Sequence, residues 1–161
     1  MDDAELTRDA LDVLAIQRLL AAYADTVDRR AWAELAELFE PAARVVVDRV
    51  TDDPLEMVGP EAVGRFIGAA IARFGFFELV VLNARVHVGA GGDPDRARAR
   101  VFIAEVRQDA ADASWSHTYG VYHDTYRRAG GRWWFAERAY QSLARTGVDT
   151  AFPFPAEASL D

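Results

Sequence analysis

From residue 7 to residue 23 the apolar side chains Leu11, Leu14, Ile16, Leu19, Leu20 and Tyr23 recur at helical spacing, with Thr7 or Asp9 available as a cap. The pattern predicts a long first helix that runs on towards Asp28. A short second helix follows through Trp32, Leu35, Leu38 and Phe39, and Pro41 helps to end it. The β-branched run at 44–50 predicts a first strand. After the turn TDDP, Gly59-Pro60 introduces a third helix over 61–74, with Val63, Phe66, Ile67, Ala70 and Ile71 on one face.

Beyond that helix the apolar period changes to two. Residues 78–88, 97–108, 116–128 and 132–145 read as four strands, joined by short turns such as AGGDPD and AGG. Strands that follow one another through short turns form an antiparallel meander. Helices first and strands afterwards make an α+β fold rather than an alternating parallel one. The chain reads as a single domain, with a core at about 7–146 and a C-terminal tail at 147–161.

With 161 residues the chain is long enough to bury roughly 70% of its unfolded surface around one core. The net charge is -8, and no predicted face carries the basic stripe that nucleic acid would need. All 18 basic residues are arginine, which removes lysine Schiff-base and lysine general-base chemistry. Cysteine is absent, so disulfides, thiolate nucleophiles and thiolate metal ligands are excluded. His87, His117 and His123 fall in no metal-binding motif, and no glycine-rich phosphate loop joins a strand to a helix. Neither metal nor cofactor is expected. The acidic start and the lack of a membrane-length apolar run point to a cytoplasmic protein with no membrane partner.

Two segments carry a family resemblance. ADTVDRRAWAEL at 24–35, preceded by Tyr23 and followed by LFEPAARVVVD, resembles the opening of scytalone dehydratase-like and SnoaL-like proteins. GVYHDTYRRAGGRWWFAER at 120–138 resembles their G-x-Y-x-D strand and the Gly-Arg-Trp turn into the last strand. The resemblance implies the cone-shaped nuclear transport factor 2-like fold, with N-terminal helices packed in a curved antiparallel sheet around an apolar pocket. It also implies that Asp28 holds a water or a substrate hydroxyl and that Tyr23 is an aromatic pocket residue. Several positions depart from scytalone dehydratase. Val27 and Val47 replace its two water-positioning tyrosines, Leu79 and Arg107 stand near its two catalytic histidines, and Tyr122 replaces a substrate-binding asparagine. The chain is therefore not expected to be scytalone dehydratase itself, since that acid–base pair of imidazoles is missing.

The residues themselves leave alternatives. Asp28, beside Arg29 and Arg30, is either a solvated helix-end carboxylate or a pocket acid whose pKa burial would raise. Alternation places Asp48 opposite Val47 as a rim residue, unless a bulge reverses the faces. On the strand at 116–128, His117, Tyr119, Val121 and His123 share one face, and Thr118, Gly120, Tyr122 and Asp124 the other. The resemblance puts Gly120 and Tyr122 inward, with His117 a replacement base should the register shift. Glu105 and Arg107 form either a structural ion pair or a site where Arg107 holds an anionic or enolic oxygen. Asn83 is a candidate substrate contact from its sheet position. Phe152 and Phe154 either close the pocket as an aromatic lid or dock with the tail on the sheet.

The expected function is a cofactor-independent lyase, cyclase or isomerase acting on a hydrophobic, aromatic or polyketide-like small molecule. Asp28 would be its acid/base, with Tyr23 and Tyr122 as donors to a carbonyl oxygen. The rival readings are a non-catalytic small-molecule binder and a structural subunit like the small subunit of a ring-hydroxylating dioxygenase. A homodimer or homotrimer is the expected assembly.

Overall fold

The computed structural model describes residues 2–147 and Leu160. Its first helix starts before Thr7. Asp2 caps it, accepting from the Glu5 backbone N–H at 2.8 Å, while the Glu5 carboxylate accepts from the Asp2 N–H at 2.8 Å. This reciprocal pair satisfies two of the amides that a helix start leaves unpaired. Helix α1 spans Asp3–Asp28. Its buried stripe runs Asp12, Ile16, Leu19, Leu20, Tyr23 and Val27, and Leu11 and Leu14 lie off it, 60% and 50% exposed. The predicted stripe was right from Ile16 onward.

The predicted second helix is a 3-10 turn over Trp32–Glu37. Phe39 opens strand β1, Phe39–Val47, instead of closing that helix. Pro41 is tolerated inside the strand because the pairing of β1 shifts register between Phe39 and Arg44. A strand the sequence did not suggest, β2, Leu55–Val58, pairs antiparallel with β1. Helix α2, Pro60–Ile71, follows. Gly59 precedes it with φ +84°, and a Cβ there would meet the Pro41 carbonyl oxygen at 2.9 Å. Only glycine fits that corner.

The meander is β3, Phe74–Val88; β4, Arg96–Asp109; β5, Trp115–Ala129; and β6, Arg132–Arg145. Strand β3 thus begins within the stretch predicted as helix. The 6-stranded sheet has the order β2-β1-β6-β5-β4-β3. All its pairs are antiparallel except β1 with β6, which run parallel, Arg44 opposite Glu137 and Val47 opposite Tyr140. The sheet is consequently mixed, where an antiparallel one was expected.

Helix α1 packs on β3 and β6, and α2 lies across the 3-10 turn and the β1–β2 edge. Aromatic rings fill the space between. Phe39 stacks on Phe135 at 4.7 Å, and Tyr126 and Tyr23 approach Phe135 at 5.1 and 5.7 Å. Trp133 and Phe135 are buried in this core. Two cross-ties fix α1 to the sheet. Asp12 accepts from the Trp133 indole N–H at 2.9 Å and from Arg128 at 2.7 Å.

Candidate functional site

Strands β5 and β6 pair Asp124 with Arg138 and Tyr122 with Tyr140. The first couple is an ion pair with both residues 3% exposed. Arg138 donates from Nε to Oδ1 and from Nη2 to Oδ2, each at 2.7 Å, and the Tyr126 hydroxyl donates to Oδ2 at 2.7 Å. Three rings enclose the guanidinium, with Cζ 3.9 Å from the Tyr122 centroid and 4.3 Å from those of Tyr23 and Phe135. Burial opposes the Arg138 charge, but the adjacent Asp124 carboxylate overcomes it and holds the pKa well above the ordinary arginine value. Such a fork-to-fork pair is rigid, and its guanidinium is always charged.

Above it lies a cavity of about 330 Å³. The predicted inner face of α2, Val63, Phe66, Ile67, Ala70 and Ile71, forms one wall, together with Val45, Val47 and Met57. Val27, Leu79, Phe74 and Phe77 continue the apolar lining, and the polar groups come from Tyr23, Asp48, Arg49, Glu105, Arg107, Tyr122, Arg138, Tyr140 and Arg145. Glu105 and Arg107 lie 3.6 Å apart on β4. Burial raises the Glu105 carboxyl above the ordinary glutamate value, against the lowering fields of Arg107 and Arg145. Burial also lowers Arg107, which stacks over Phe74 at 5.2 Å. The phenol of Tyr140 is pushed up to about 12, and that of Tyr122 well above its usual value, both chiefly by desolvation. Both are neutral hydrogen-bond donors near neutral pH.

The sequence-derived candidates divide into those that reach this cavity and those that do not. Tyr23, Val27, Val47, Asp48, Leu79, Glu105, Arg107 and Tyr122 line it. Gly120 lies beneath the Tyr140 ring: a Cβ there would come within 2.8 Å of Tyr140 Cζ, so its hydrogen leaves the room that lets Tyr140 reach the cavity. Asp48 faces the cavity although Val47 does too, because the strand ends at Val47 and alternation ends with it. Its carboxylate is committed to the N–H groups of Val50 and Ser142, at 2.8 and 3.1 Å.

Asp28 is not among the lining residues. It ends α1 with an exposed side, and one oxygen turns in to accept from the Leu79 N–H at 2.7 Å. Desolvation of that oxygen raises its pKa, and the Leu79 bond pulls it back. His117 lies on the outer sheet face, away from the cavity, since the inward set Thr118, Gly120, Tyr122 and Asp124 is as predicted. Asn83 is exposed at a register shift between Val81 and Asn83, so it does not reach the cavity either. Phe152 and Phe154 lie outside the described residues. Leu160 borders a separate depression beside Arg98, His123 and Glu137.

Arg138, Tyr140 and Arg145 were not foreseen. The signal existed, because the meander pairs the inward residues of β5 with neighbours on β6, and those neighbours include Arg138 opposite Asp124 and Tyr140 opposite Tyr122. Among the described residues no cluster of three or more histidine, aspartate or glutamate side chains is placed to hold a metal ion. No described helix is long and apolar enough to cross a membrane.

Comparison with known proteins places this architecture. A candidate scytalone dehydratase from Novosphingobium aromaticivorans DSM 12444 superimposes with a TM-score of 0.75 at 19% identity, covering 99% of both chains. The hexachlorocyclohexane dehydrochlorinase LinA-type3 from Novosphingobium barchaimii LL02 gives 0.72 at 20% identity, over 91% of this chain and 99% of that one. A nuclear transport factor 2-like superfamily protein from Salmonella enterica subsp. enterica serovar Typhimurium str. LT2 gives 0.67 at 18% identity, over 85% and 94%. These likenesses establish the fold, the nuclear transport factor 2-like one that the sequence implied. A search of curated proteins finds no significant match. The SnoaL-like domain family matches residues 8–139, and the chain belongs to that family.

Proposed function

We propose that this protein is a cofactor-independent lyase or isomerase that moves a proton on a small, largely apolar molecule held in the cavity. Glu105 is its acid/base, and the phenols of Tyr122 and Tyr140 are its oxyanion donors. One observation carries the reading: a carboxyl group with a raised pKa lies on the wall of an apolar cavity beside neutral phenols. The carboxylate of Glu105 takes a proton from carbon next to a carbonyl. The C–H electron pair moves to the carbonyl oxygen, which the phenols stabilise by hydrogen bonding. The intermediate then regains a proton from Glu105 at another position, or expels a β-leaving group with its electron pair. Membership of the SnoaL-like family and structural likeness to proteins described as a candidate scytalone dehydratase and a dehydrochlorinase support this class of reaction.

This reading moves the acid–base role from Asp28 to Glu105, because the Asp28 carboxylate is engaged with Leu79 outside the lining. Deuterium incorporation into 2-tetralone in D2O, followed by NMR, tests it. The wild type is expected to exchange the α-hydrogens faster than buffer, Glu105→Gln to lose about 100-fold or more of that rate, and Asp28→Asn to stay within a few-fold. Exchange that survives Glu105→Gln would overturn the assignment. A binding protein without turnover is the second reading, favoured by the lack of any imidazole among the lining residues. Saturable binding of 2-tetralone without exchange would support it.

A further inference from the structure

The charge balance of the cavity wall runs against that of the chain. The protein carries a net charge of -8, yet among the described residues Arg49, Arg107, Arg138 and Arg145 line the cavity against only Asp48 and Glu105. Asp124 neutralises Arg138 from below. One positive charge is left unmatched.

That charge lies at the end of the cavity where β4, β5 and β6 run side by side. Glu105, Thr118 and Arg145 form a single cross-strand row, and Arg107 is two residues along β4 from Glu105. Among the described residues neither Arg107 nor Arg145 has a hydrogen bond to its guanidinium, and both Nε atoms are buried without a partner. Their one ion-pair contact among the described residues, Arg107 to Glu105 at 3.6 Å, is longer than a charge-assisted hydrogen bond. The Thr118 hydroxyl, in the middle of the row and 1% exposed, also has no partner. Asp48 cannot serve as the missing anion, because both its oxygens already accept backbone N–H groups. Buried donors without acceptors are costly, and two neighbouring guanidinium groups with donors to spare are an arrangement that recognises a planar anion.

We infer that the ligand bears a carboxylate, seated between Arg107 and Arg145, with its apolar skeleton directed along Phe74 and Phe77. A single negative charge completes the balance, whereas a dianion such as a phosphate monoester would exceed it. The inference rests on this cavity being the ligand site proposed above, but not on Glu105 being the base.

Isothermal titration of the full chain with 2-naphthoate and its neutral isostere 2-naphthamide tests it. The carboxylate is expected to bind at least about tenfold more tightly than the amide. In Arg107→Gln and Arg145→Gln that preference falls towards onefold, with 2-naphthamide affinity kept within about twofold. Arg145→Lys keeps part of the preference. Circular dichroism and thermal melting confirm that each variant is folded. Because Glu105→Gln removes a carboxylate beside the forks, it keeps or strengthens the preference. This separates the inference from the catalytic proposal: lost deuterium exchange with intact discrimination sinks the base and leaves the anion site. Equal affinity for the two ligands, no binding of either, or discrimination that survives both glutamine variants would overturn the inference.

Discussion

Asp124→Ala strands the guanidinium of Arg138 in the protein interior. The variant deletes two 2.7 Å bonds to Arg138 and the acceptor of the Tyr126 hydroxyl, all at a residue 3% exposed. Arg138 cannot turn outward to recover water, since Tyr23, Tyr122 and Phe135 pack around it. Breaking a buried pair by removing one partner costs about 3–5 kcal/mol. In a chain of this length each kcal/mol moves Tm by roughly 2–4 °C, so melting should fall by about 6–20 °C. Urea unfolding followed by tryptophan fluorescence measures the loss directly. The companion variant, Asp124→Leu with Arg138→Met, removes both charges and leaves apolar groups of similar size. It forfeits stacking on the rings but leaves no charge unpaired, so its loss should be the smaller of the two. A cost below about 1 kcal/mol for Asp124→Ala, or a double variant less stable than the single one, would refute the reasoning.

Gly120→Ala places a Cβ within 2.8 Å of Tyr140 Cζ and 2.9 Å of its hydroxyl, so stability should fall by about 1–3 kcal/mol. In a Tyr140→Ala background the same change should cost almost nothing; equal costs in thermal melts of both backgrounds would disprove the contact. Glu105 holds its proton more tightly in the folded protein than in the unfolded chain, because burial raises its pKa. Its stabilising contribution is therefore complete below the ordinary glutamate value and is lost as pH rises through the folded one. Urea midpoints from about pH 4 to pH 8 should show the wild type losing stability relative to Glu105→Gln, and a pH-independent difference would count against the burial. Asp12→Ala removes the acceptor shared by Trp133 and Arg128 and should cost about 1–3 kcal/mol in urea unfolding, whereas a loss within error would show the tie to be idle.

The meander was legible because alternation and glycine turns are local signals. Strand β2 was not, since Leu55–Val58 offers only four residues and a weak alternation after the TDDP turn. Pro41 misled because it normally ends helices, while here it occupies an irregular stretch of β1. The parallel β1–β6 pairing joins distant segments and has no local signature. At the site, the inner face of β5 was read correctly, and Tyr122 followed from it. Strand β6 was harder. Trp133 and Phe135 point inward, so strict alternation would send Glu137 and Ala139 in as well. The register shift opposite Thr125 and Tyr126 adds a residue at Ala136, and from there Arg138, Tyr140 and Ser142 take the inner side. One bulge thus hid the ion pair and the second phenol. Asp28 was named from a family position, but the direction of its carboxylate depends on the Leu79 amide across the fold.

The parallel pairing of β1 with β6 also orders events during synthesis. Arg44 must wait for Glu137, and Val47 for Tyr140, before either edge is satisfied. While the chain emerges from the ribosome, β1 can pair only with β2, and the Ile16–Val27 stripe of α1 lacks the part of its cover that β6 supplies. Closing so long a loop is slow, and the exposed edge and stripe are the points where a nascent chain sticks to others. A nascent chain that stops before Arg132 lacks Arg138, Tyr140 and Arg145, so the cavity is completed only as the last strand arrives.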